Sequence, residues 1–84
     1  MNKLELFKKK LIYRSSYRGT KEMDILLSAF VKKNIDKFNE LELNELSKFL
    51  DFDDEIILNF YNHGKVEKNI DQNFISQIFK DFSF

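Results

Sequence analysis

Apolar residues recur along this chain at three- and four-residue spacing, the signature of helix faces, with no sustained alternation of the kind a strand requires. Leu4, Phe7 and Leu11 form the first stripe, with Lys8, Lys9 and Lys10 mostly off it. A first helix is therefore expected from about Lys3 to Tyr13, reaching Tyr17 at most. Met23, Leu27, Phe30 and Val31 form the second stripe, extended by Leu26, Ile35 and Phe38, in a helix that starts near Thr20. Thr20 suits an N-cap, and Glu22 and Asp24 suit the positive end of the helix dipole. Leu43, Leu46, Phe49 and Leu50 place a third helix within Glu40–Leu50.

The last two helices carry punctuation as well as periodicity. Asp53 is expected to cap the fourth, with Phe52 packing back onto Ile57, and with Ile57, Phe60 and Tyr61 on one face. Gly64, in the "NHG" of residues 62–64, ends it by taking the left-handed conformation. Asp71 is expected to cap a fifth helix, with Ile70 packing onto Ile75 and Phe74, Ile78, Phe79 and Phe82 along one face. The predicted fold class is all-α, a compact bundle of four to five short helices forming a single domain over residues 1–84. Most of the ten phenylalanines are expected in its core, and Phe84 beyond the last helix is expected to fray.

Composition narrows what such a bundle can do. Without cysteine there is no disulfide, zinc knuckle or redox pair. Without proline the helices run uninterrupted. No apolar run approaches the roughly 20 residues of a membrane span, so no membrane role is expected. The segment "MNKLELFKKKL" has neither a signal peptide's apolar region nor a transit peptide's composition, which leaves the cytoplasm of a bacterium as the expected compartment. Net charge is zero but uneven: residues 1–21 carry seven bases and one acid, +6, while the other 63 residues carry seven bases and 13 acids, −6. Such a basic end steers acidic partners, or is simply a solvated helix face.

Catalytic and metal chemistry find little to build on. His63 is the one histidine, placed in the stop of the fourth helix, and no serine or carboxylate is spaced to complete a triad with it. The acidic run "DFDDE", Asp51 to Glu55, lacks the glycine and the terminal glutamate of a calcium loop and reads as a helix start. Gly19 before Thr20 and Lys21 is too little for a phosphate cradle. A helix–turn–helix or antitoxin-like regulator using Lys8, Lys9, Lys10, Arg14 and Arg18 is the alternative reading. Against it, Glu22 and Asp24 would face the phosphate backbone, so no nucleic-acid partner is expected.

The stretch "YRSSYRGTKEMD", Tyr13 to Asp24, stands apart. The chain uses 12 lysines and two arginines, and both arginines are here, beside one of its two glycines. A lysine-rich chain that keeps arginine at two positions needs a planar, forked donor there. A structural account is available: Arg18 complements the end of the first helix, Gly19 follows as its left-handed terminator, and Arg18 pairs with Glu22 four residues on. Such an exposed pair contributes at most about 0.5 kcal/mol.

"RGTKEMD", Arg18 to Asp24, resembles the Arg-Gly-x-x-Glu motif of the small succinate dehydrogenase assembly factors, the flavinator or FAD-assembly-factor family. The similarity runs through "YRSSYRGTKEMDILLSAFV" and through Glu55–Tyr61 into "NHGK", roughly residues 11–65. One departure is Asn59–Phe60–Tyr61 in the fourth helix, where many members carry tryptophan. The resemblance implies a non-enzymatic factor, monomeric when free. It would bind the flavoprotein subunit of succinate dehydrogenase, and in some bacteria that of fumarate reductase, and promote covalent attachment of FAD to a histidine there. It implies that FAD stays with the partner and that this chain holds no cofactor. It makes Arg18, Gly19 and Glu22 the contact residues, with Arg14, Tyr17 and Asp24 beside them.

Overall fold

The computed structural model describes residues 2–83, so Phe84 lies outside the described residues. Five α-helices follow one another: α1 Lys3–Ser16, α2 Lys21–Asn34, α3 Glu40–Leu50, α4 Asp54–His63 and α5 Phe74–Lys80. Short 3-10 turns, Ile35–Lys37 and Ile70–Gln72, extend α2 and precede α5. The fold is all-α, with no strand among the described residues. Its radius of gyration is 12.1 Å, close to the roughly 12 Å of a compact chain this long.

The stripes of α2 and α3 bury as their spacing demands. Met23, Leu26, Leu27, Phe30 and Val31 from α2 meet Leu43, Leu46, Phe49 and Leu50 from α3, and Ile56, Ile57 and Phe60 of α4 join the same cluster. Phe79 of α5 closes it, its ring edge-on to Phe30 at 5.0 Å and tilted against Tyr61 at 4.8 Å. Thr20 caps α2 by accepting from the Met23 amide at 3.2 Å. Asn39 and Glu42 form a reciprocal capping box on α3. Gly64 ends α4 with φ of 67°, a conformation open to glycine at little cost.

Several local expectations are corrected. Asp53 precedes α4 but its side chain makes no cap bond. The cap of α5 is Asn73, not Asp71. Its side chain accepts from the Ser76 amide at 3.0 Å and donates to the Glu45 carbonyl at 3.0 Å, while Asp71 lies within the 3-10 turn. With the cap shifted, Ile70 and Ile75 are both core residues rather than a staple across it. Phe74 is half exposed because α5 turns Ile75, Ser76 and Phe79 inward instead. Leu4 is exposed as well, in the first turn of α1. Among the described phenylalanines, Phe30, Phe49, Phe60 and Phe79 are buried, and Phe7, Phe38, Phe52 and Phe82 pack against the cluster from its edge.

Candidate functional site

The four residues between α1 and α2, Tyr17 to Thr20, form a tight connection beside the equally tight one between α3 and α4. Helix α3 leaves its last carbonyls without intrahelical donors, and α4 presents its positive end at Asp54. Arg18 reaches across between them. Its Nε donates to Asp54 Oδ1 at 2.7 Å, Nη1 to the Leu50 carbonyl at 2.8 Å and Nη2 to the Phe52 carbonyl at 2.8 Å. The other Asp54 oxygen accepts from the Gly19 amide at 2.7 Å. One carboxylate thus holds both the side chain of residue 18 and the backbone of residue 19. Asp24 completes the lock from α2 by accepting the Arg18 amide.

Arg14 repeats the device one turn earlier. Its Nη1 donates to Ser47 Oγ at 2.9 Å, and Nη2 to the Ser47 carbonyl at 3.2 Å and to Asp51. Arg14 therefore ties the end of α1 to the end of α3, Arg18 ties the first connection to the second, and the fork that lysine lacks is in use at both. The Arg18–Asp54 pair is largely shielded, its side chains 12% and 22% exposed. A pair so placed is held by geometry, because removing either partner strands the other.

This placement corrects part of the sequence reading. The Arg18 fork faces inward and binds Asp54 and two backbone carbonyls, not Glu22 and not solvent. Gly19 is not a left-handed terminator: Gly64 is the glycine with positive φ, and Tyr17 is the C-cap of α1. The reason for glycine at 19 is room. A Cβ there would lie 3.0 Å from Asp54 Oδ2, one oxygen of a carboxylate pinned by a hydrogen bond to each of its oxygens. Asp54, Ser47 and Asp51 escaped sequence reasoning. The arginine excess signalled a forked donor, but nothing in the spacing tied residue 18 to residue 54.

The remaining motif residues face outward. Glu22 is exposed, and its side chain makes no hydrogen bond or ion pair among the described residues. Tyr17 is 70% exposed and stacks with the 64% exposed Tyr13, ring centroids 4.5 Å apart. Ile25, one turn beyond Glu22, is half exposed. Of the basic run, Lys8 binds Asp36 at 3.3 Å, and Lys9 and Lys10 are exposed. Beyond the lock, Glu67 accepts a hydrogen bond from Lys65 at 2.9 Å and raises its ammonium above the usual lysine value.

Catalytic groups are not assembled at this face. His63 is the exposed last residue of α4. Among the described residues no group of three His, Cys, Asp or Glu side chains is placed to hold a metal ion, and no helix is long and apolar enough to cross a membrane. What the face offers is a rigid connection with an unpaired carboxylate and two aromatic rings on its outside.

The family model described as flavinator of succinate dehydrogenase matches residues 9–82. Among curated proteins, the chain is 46% identical over 48 residues to succinate dehydrogenase assembly factor 2, mitochondrial, of Scheffersomyces stipitis, covering 57% of this chain and 32% of the relative. The protein of the same name from Meyerozyma guilliermondii is 43% identical over 47 residues, covering 56% and 35%. That of Dictyostelium discoideum is 37% identical over 60 residues, covering 71% and 43%. The chain spans less than half the length of these relatives. No solved structure matches it at comparable significance.

Proposed function

Because the chain belongs to the family of flavinators of succinate dehydrogenase, we propose that it binds the flavoprotein subunit of that enzyme through the Gly19–Glu22 face and promotes covalent attachment of FAD to it. The observation that carries this reading is the split within the motif. Arg18 is engaged inside the chain, while Glu22, four residues on, is exposed and unpaired. A carboxylate on a rigid ledge fits contact with a second protein, because a preorganised donor or acceptor loses little freedom on docking.

In this reading the factor is not the catalyst and holds no flavin. FAD and the acceptor histidine belong to the partner, and the factor acts by holding a mobile part of the flavoprotein where the two meet. Arg14, Arg18 and Asp24 contribute by fixing the ledge, and Gly19, Glu22 and Tyr17 by meeting the partner. The flavoprotein of fumarate reductase is a further client, and the free factor is a monomer. The relatives are named as mitochondrial, which gives no support to the bacterial cytoplasm expected from the sequence.

The test is co-expression of the flavoprotein with and without this chain, followed by denaturing gels read for flavin fluorescence on the flavoprotein band. The signal is expected to rise with the factor and to fall back with Gly19→Arg. Equal signals in both lanes, with flavinylation still incomplete, would defeat the proposal.

A further inference from the structure

Next to Glu22 the surface opens into a groove between α2 and α4. Glu22, Ile25 and Leu26 line one side, and Leu58, Tyr61 and Asn62 the other, around a cavity of about 330 Å³. Its floor is apolar: Leu26 is buried, Leu58 and Tyr61 are half-buried, and Ile25 forms a half-exposed lip. Its polar groups, Glu22 and Asn62, are both exposed. The wall on the α4 side is fixed in advance. Tyr61 donates its hydroxyl to the Phe82 carbonyl at 2.6 Å, and its ring packs on Phe79 at 4.8 Å.

We propose that this groove is an anchor site for a segment of the flavoprotein that carries one apolar side chain beside a Lys or Arg. The proposal rests on the docking reading given above and names the chemistry of the docked segment. Charge complementarity selects the cation, since the groove ends at a carboxylate with no partner of its own among the described residues. Continuity selects the flavoprotein over other occupants, since Glu22 belongs at once to the groove and to the motif face. The apolar floor selects the anchor, because energetic anchors in interfaces are side chains seated in preformed, desolvated pockets with polar groups at the rim. Ile25 sits on α2 three residues beyond Glu22, so the two share a helix face and can be engaged together.

The experiment measures affinity of the purified flavoprotein subunit for the intact factor and its variants, with circular dichroism as a check on folding. Ile25→Glu is expected to weaken binding by roughly tenfold or more, whereas Leu41→Glu, an equally apolar exposed position outside the groove, leaves it unchanged. Ile25→Gln replaces the glutamate variant if that one disturbs the helix. Raising salt should weaken the parent more than Glu22→Gln, since an exposed ion pair is screened. Parent-like affinity of Ile25→Glu together with loss of binding in Glu22→Lys would overturn the groove and leave the docking reading standing. Parent-like affinity of both variants, or no binding of the flavoprotein at all, would overturn both. A factor that self-associates and becomes monomeric on Ile25→Glu would also overturn the proposal, by assigning the groove to a second copy.

Discussion

The connection before α2 and the one before α5 are held by opposite means. At Tyr17–Thr20 the agents are charged: Arg18 ties the segment to Asp54 and to the carbonyls of Leu50 and Phe52, and Asp24 takes the Arg18 amide. Between Gly64 and Asn73 the ties to the rest of the fold are mostly neutral, the Lys65–Glu67 pair lying within the segment itself. Ile70 is buried, Ser76 Oγ donates to the carbonyls of Ile70 and Asn73, and Phe79 packs on Phe30, Phe49 and Tyr61. Lys68 and Asn69 take positive φ there, at 53° and 60°, which is costlier for lysine than for asparagine.

The difference has a functional meaning. The second connection is held through the two side chains it buries, Ile70 and Asn73, so damage to either reaches the core. The charged one is held mostly from a distant part of the chain, through backbone acceptors and one carboxylate. The outward side chains of Tyr17 within it and of Glu22, two residues beyond it in α2, are left uncommitted to the core. Damage at the first connection should change recognition, and damage at the second should change whether the chain folds.

Substitutions can break or sharpen this contrast, beginning with the largest effect. Phe79→Ala removes a fully buried ring and is expected to cost about 4 kcal/mol, lowering Tm by roughly 15 °C or more. Flavoprotein binding should then fall only as the folded fraction does. Arg18→Lys keeps the charge and loses the fork. It leaves the part-buried carbonyls of Leu50 and Phe52 without these donors, a loss of about 2 kcal/mol in chemical denaturation. Flavinylation should also drop under conditions where circular dichroism shows an intact bundle. A fully stable and active lysine variant would remove the bolt from the mechanism.

Gly19→Ala is the next step down. Its Cβ meets Asp54 Oδ2 at 3.0 Å, so the carboxylate must move and loosen one of its two bonds, at about 1 kcal/mol. Glu22→Ala should be the mildest for the fold, within about 0.5 kcal/mol, yet it should abolish binding of the flavoprotein. A Glu22 variant that loses stability in step with binding would place this residue in the structure rather than at its surface, and the contrast between the connections would collapse.

The helices were readable because their stripes answer to local periodicity. The α3 stripe, Leu43, Leu46, Phe49 and Leu50, is buried throughout, and Thr20 and Gly64 end their helices by chemistry carried within a few residues. Asn73 was not readable as a cap, because part of its role is to donate to the Glu45 carbonyl on another helix. Asp53 offered a proper cap residue that the fold does not use, while its neighbour Asp54 turns to Arg18. At the site, arginine usage betrayed the need for a fork, but its direction depends on acceptors 32 to 36 residues away. Two of those acceptors are backbone carbonyls, which every residue has and no motif can display.

The bolt from residue 18 to residue 54 also sets an order of events during synthesis. A nascent chain that has released Arg18, Gly19 and Glu22 still lacks the carboxylate that fixes them, so it carries the motif without the surface. The ledge comes into being only when the start of α4 has left the ribosome and α3 has docked. A truncated product ending before Asp54 would display the same letters to the flavoprotein and hold none of their geometry. In the docking reading proposed above, the motif is a certificate of completion, legible to a partner only on a chain whose later helices are already in place.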